Sequence, residues 1–100
     1  MSQLPSPEQI ATALEHMPGW SGDADALEAS WTFADFPTAL GFMSACVEGI
    51  EQRGHHPEWS NVYNRVSVRL RTHDLGDKVS AKDLDLAAFL SAQAANHGAH

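Results

Sequence analysis

One hundred residues leave room for one hydrophobic core, and a 43% apolar share with three Trp, four Phe and one Tyr is enough to build it. Thirteen acidic against six basic side chains give a formal charge of -7, a field that repels phosphate backbones and anionic bilayers, so direct nucleic-acid or membrane binding is not expected. Cys46 stands alone, which excludes an intrachain disulfide and a multi-cysteine zinc site, and the opening MSQLPSPEQI lacks the basic and apolar regions of a secretion signal. No apolar run approaches the ~20 residues that span a bilayer. A cytoplasmic protein with a single domain over residues 1–100 is expected.

Ser6-Pro7-Glu8-Gln9 combines a capping hydroxyl, a proline in the first turn and a glutamine three residues after the cap, followed by Ile10, Leu14 and Met17 on one face. The first helix therefore starts here and stops before Pro18-Gly19. A short strand is expected around Trp20. Leu27, Ala29, Trp31 and Phe33 then alternate with Glu28, Ser30 and Thr32, the period of a half-buried strand.

Asp35 can cap a second helix, with Pro37 just inside it and Gly54 to stop it. Its apolar stripe, Phe36, Leu40, Met43, Val47 and Ile50, is expected to face the core. Glu58 to His73 reads as two strands joined near Tyr63-Asn64, with Val66, Val68 and Leu70 alternating against Ser67, Arg69 and Arg71. After the polar link DLGDKV, Ser80-Ala81-Lys82-Asp83 begins a third helix, with Val79 and Leu84 as a hydrophobic staple. The order is helix, two strands, helix, two strands, helix. Short strand-to-strand links require antiparallel pairing, and one apolar sheet face must be covered, so the class is α+β: a four-stranded antiparallel sheet with helices packed on one face. Open sheet edges favour pairing with a second copy.

Six histidines need explaining. His97 and His100 lie in the polar tail NHGAH and are expected to fray. Gly54-His55-His56-Pro57 sits where the second helix ends, with Pro57 forcing His56 into an extended conformation. An antiparallel hairpin returns His73 to the start of the preceding strand near Glu58, so topology draws three imidazoles towards one corner. With an unperturbed pKa of ~6.5, such groups both give and accept protons near neutrality. Glu51, one helical turn before His55, is placed to orient it, and Asp83 to orient another member of the set.

Simpler roles compete. Histidines at a helix end can serve its terminal carbonyls, and Asp83 can be a capping-box residue and nothing more. Trp20 and Trp59 suit core packing as well as stacking on a planar ligand. Adjacent histidines aim poorly at one ion and no HxH or HxxxH spacing occurs, so no metal is expected.

Glu51-x-x-x-His55-His56-Pro57-Glu58-Trp59-x-Asn61-Val62-Tyr63-Asn64, followed by Thr72-His73 and Ser80-x-x-Asp83, resembles the signature of the pterin-4a-carbinolamine dehydratase family. The resemblance implies the same sheet-and-helix fold, pairing into a homodimer or a dimer of dimers, and dehydration of a 4a-hydroxytetrahydropterin substrate without metal or organic cofactor. It implies catalytic roles for His55, His56 and His73, supporting carboxylates in Glu51 and Asp83, and a pocket wall from Pro57, Trp59 and Trp20. Some members of the family act by binding a protein partner, which is the alternative function the resemblance carries. The link from His73 to Ser80 is longer and more charged than the family's usual one, which would shift Asp83 relative to His73.

Overall fold

A computed structural model describes residues 4–100. The chain runs α1 (Pro7–Glu15), β1 (Trp20–Gly22), β2 (Leu27–Thr32), α2 (Phe36–Arg53), β3 (Glu58–Val62), β4 (Arg65–Leu70), a 3-10 turn (His73–Leu75) and α3 (Ala81–Asn96). Both ends of the Ser6–Gln9 capping box form, and the Asp35 carboxylate accepts the Thr38 amide at 2.9 Å. Gly54 ends α2 in the left-handed region at φ 60°, the conformation a glycine reaches without penalty.

The sheet order is β1-β2-β4-β3, with every pair antiparallel. Register places Ala29, Val68 and Trp59 side by side on the face that carries the core. Glu28, Arg69 and Glu58 share the opposite face, one row away from Ser30, Ser67 and Ser60. The apolar row joins Ile10, Phe33, Phe42, Leu86 and Leu90 in one buried cluster, which puts the helices on that side alone. Inside it Phe42 stacks on Phe33 with centroids 5.0 Å apart and meets Trp31 and Trp59 edge-on.

The face that α2 buries differs from the expected stripe. Ala39, Phe42, Cys46, Gly49 and Ile50 point inward, while Phe36, Leu40 and Val47 are exposed, Val47 at 52%. The helix carries two apolar seams that meet at Ile50, and the seam with small residues wins because it lets α3 approach. Gly49 lies under Phe89, where an added Cβ would come within 2.2 Å of the ring, and the Arg53 guanidinium covers the same ring at 4.3 Å. Gly49→Ala should therefore cost about 1–3 kcal/mol through overpacking, despite the ~1 kcal/mol alanine gains in a helix. An unchanged denaturation midpoint would mean that Phe89 moves aside freely. Burial also pushes the Cys46 thiol up to about 11, as befits a core position.

The tail is tied in rather than frayed. Thr32 and His100 exchange backbone hydrogen bonds at 3.0 and 2.9 Å, and the His97 ring packs edge-on against Phe42 at 6.1 Å.

Candidate active site

The left-handed Gly54 turns the chain away from the α2 axis just before His55. Residues after it no longer follow helical spacing, so the expected Glu51–His55 pair does not form. Glu51 Oε2 instead lies 2.6 Å from His56 Nε2, on the exposed surface. His55 turns inward, its side chain only 11% exposed, and its Nε2 lies 2.5 Å from Oδ1 of Asp83, which is fully buried.

Asp83 both caps α3 and meets an imidazole. Its Oδ2 accepts the Ser80 amide at 2.8 Å, completing the capping box of α3, and accepts the Thr72 hydroxyl at 2.8 Å. Thr72 and Ser80 are 5% exposed and their hydroxyls are 2.6 Å apart. No buried side-chain nitrogen or oxygen among the described residues lacks a hydrogen-bond partner. Because buried carboxylates are costly unless satisfied, this closed set explains how Asp83 can sit behind an imidazole without solvent.

β4 stops at Leu70, so His73 opens a 3-10 turn instead of ending a strand. Its ring points outward, and Nδ1 lies 2.6 Å from Oδ1 of Asp77. That contact is the main reason the Asp77 carboxyl is held below its ordinary pKa. The 73–80 link is tied down at its end: the Thr72 amide donates to the Lys78 carbonyl at 2.8 Å, the Val79 amide to the Ala24 carbonyl at 2.9 Å, and Lys78 pairs with Asp25. It thereby delivers Asp83 beside Thr72.

Each candidate histidine thus has its own carboxylate, and His73 follows directly on the threonine that holds the partner of His55. The three rings are not hydrogen-bonded to one another among the described residues. No group of three or more His, Cys, Asp or Glu side chains among those residues is placed to hold a metal ion. Arg53 pairs with Asp85, Arg69 with Glu28 and Arg71 with Glu58.

The family model for pterin 4 alpha carbinolamine dehydratase matches residues 3–93. The chain belongs to this family. A relative from Opitutus terrae, provisionally named a pterin-4-alpha-carbinolamine dehydratase, is 49% identical over 78% of this chain and 80% of its own. One from Burkholderia multivorans with the same provisional name is 46% identical over 89% and 88%. The crystal structure described as a transcriptional coactivator/pterin dehydratase from Brucella melitensis superimposes with a TM-score of 0.86 at 36% identity, covering 92% of this chain and 99% of that one.

Within this dehydratase-family chain the remaining candidates divide. Pro57 and Trp59 are half-buried beside the histidines in sequence, and Trp59 leans on the core through Phe42 at 6.5 Å. Trp20 is 6% exposed and spends its indole N–H on the Ser91 hydroxyl at 2.7 Å, so it offers a ligand almost no surface and its expected place in a pocket wall does not hold. A depression of about 590 Å³ lies on the uncovered sheet face, where Ser30, Ser67, Arg69 and Glu58 line it together with Trp59 but none of the three histidines. Sequence reading missed Asp77, which the i, i+4 spacing from His73 could have flagged, and gave Thr72 no role. No helix of the described residues is long and apolar enough to cross a membrane.

Proposed function

We propose that the chain dehydrates a 4a-hydroxytetrahydropterin to quinonoid dihydropterin, which a separate two-electron reduction returns to the cofactor used by aromatic amino acid hydroxylases. The observation that carries this reading is the His55–Asp83 pair, buried on the carboxylate side and held by Thr72, the residue before His73. In the reaction the C4a–O bond breaks while the N5 hydrogen leaves as a proton and a C4a=N5 double bond forms. Hydroxide is a poor leaving group, so a proton must reach the oxygen as the bond breaks, and water departs. One imidazolium and one neutral imidazole supply both transfers, with no oxidant or reductant. His55 and His73 take the acid–base roles and His56 anchors the substrate, with Glu51, Pro57 and Trp59 around them. A reducing, cytoplasmic compartment fits the lone buried cysteine, and the reading takes the chain as a single domain.

The direct test presents the purified chain with 4a-hydroxytetrahydropterin generated in place by an aromatic amino acid hydroxylase. Its ultraviolet signal should decay well above the spontaneous rate. Decay at the buffer rate would reject the activity.

A second role, self-association, is favoured by the exposed seam on α2. Phe36, Leu40 and Val47 are exposed along one side of the helix with half-buried Met43 between them, which suits packing against the same helix of another copy. The protein should behave as an oligomer in light scattering, and Leu40→Glu with Val47→Glu should shift it to a smaller species. Unchanged mass would rule the seam out as the contact.

A further inference from the structure

We propose that Thr72 is a positioning residue for His55, acting through Asp83, and that it commits the imidazole to using Nδ1 as its reacting atom. The inference rests on the acid–base reading of His55 and adds to it the atom and the residue that selects it.

Each hydroxyl has one proton to donate. The Thr72 hydroxyl lies 2.8 Å from Asp83 Oδ2 and 2.6 Å from Ser80 Oγ, and it can donate to only one of them. Ser80 Oγ already accepts the Lys82 amide at 3.2 Å. Ser80 Oγ also lies 3.4 Å from Asp83 Oδ2, farther than the 2.8 Å from Thr72, so the shorter contacts have Ser80 donate to the Thr72 oxygen and Thr72 to the carboxylate.

Oδ2 then takes two donors, the Thr72 hydroxyl and the Ser80 amide at 2.8 Å. Oδ1 is left to accept from His55 Nε2–H at 2.5 Å. The cap alone would hold Asp83 by the Ser80 amide and the longer 3.4 Å contact from Ser80 Oγ, both from one residue. A second donor on the same oxygen, from a different segment of chain, fixes which oxygen faces the imidazole. With Nε2 carrying the hydrogen, the lone pair of the neutral ring sits on Nδ1. Thr72 also ties the two proposed acid–base residues together, since its own amide is anchored on Lys78 at 2.8 Å and the next residue is His73.

The test compares Thr72→Val, which keeps the shape and loses the donor, with Thr72→Ser, which restores it. Full-length protein labelled with nitrogen-15 histidine reports the His55 tautomer by long-range proton–nitrogen correlation. In the parent the neutral ring should be a single Nε2–H tautomer. Thr72→Val should mix the tautomers and lower kcat for the pterin about 10–100-fold, with KM changed far less, and Thr72→Ser should return both readouts. An Nδ1–H tautomer in the parent overturns the proposal even if Thr72→Val does not fold. So does a Thr72→Val variant whose kcat falls with the tautomer unmoved, or whose tautomer mixes with kcat unmoved. A parent chain with no dehydratase activity would defeat the proposed function instead, and the tautomer measurement would still decide whether Thr72 sets His55.

Discussion

Asp83→Ala should destabilise the chain by about 3–5 kcal/mol, a large share of the roughly 5–15 kcal/mol that holds a domain together. Three losses coincide. The Ser80 amide at the start of α3 loses its acceptor, the buried Thr72 hydroxyl is left with only Ser80, and His55 faces a cavity with an unpaired N–H. A lost helix cap alone costs ~1 kcal/mol, and each buried polar group left unsatisfied about 1–3 kcal/mol more. Asp83→Asn separates folding from chemistry. Its carbonyl can still accept from Ser80 and Thr72, but its amide would present hydrogens to His55 Nε2 and force the opposite tautomer. The asparagine variant should therefore lose less stability than alanine and fall about 10–100-fold in turnover. Urea denaturation followed by circular dichroism reads the first effect and pterin turnover the second. An alanine variant within about 1 kcal/mol of the parent would mean that Asp83 does not join these segments.

Local signals in the sequence were reliable where the chain decides its own conformation over a few residues. The Ser6–Gln9 box, the Asp35 cap, the Gly54 stop and the turn at Tyr63 all depend on neighbours at short separation, and all form. The α+β order followed from alternation in β2 and β4 for the same reason. Which face of α2 turns inward depended on what packs against it. Only with Phe89 from α3 in place does Gly49 become the reason to choose the seam of small residues.

The sequence singles out the candidate side chains more readily than it does their hydrogen-bond partners. His55, His56, His73 and the two carboxylates could be picked out, and the resemblance to the dehydratases agrees with the family match over residues 3–93. The expected partnership of Glu51 with His55 assumed helical spacing across a residue that leaves the helix at φ 60°. Asp83 lies 28 positions from His55, so their pairing depends on how the 73–80 link closes against Ala24 and Asp25. Thr72 carries no chemical signature of its own. A threonine at a strand end earns significance only from the buried carboxylate opposite it.

Removing the titrating groups of His55 and His73 together should return the decay of 4a-hydroxytetrahydropterin close to its spontaneous rate. The substitutions must differ, because the two rings sit in opposite settings. His55→Ala would strand the fully buried Asp83 without its imidazole and confuse folding with chemistry. His55→Gln keeps an N–H for Asp83 and removes the proton-transferring ring. His73 is 66% exposed, so His73→Ala should change stability by no more than about 0.5 kcal/mol. Each single variant should lose about 10²–10⁴-fold in turnover, the usual contribution of a positioned acid or base. The double variant should lose much less than the product of the two, since delivering a proton to oxygen and taking one from N5 serve the same bond-breaking event. Full multiplication would assign the rings to separate steps. Parent-like turnover in the folded double variant would remove both from the chemistry and leave the corner as a structural joint between α2, the 3-10 turn and α3.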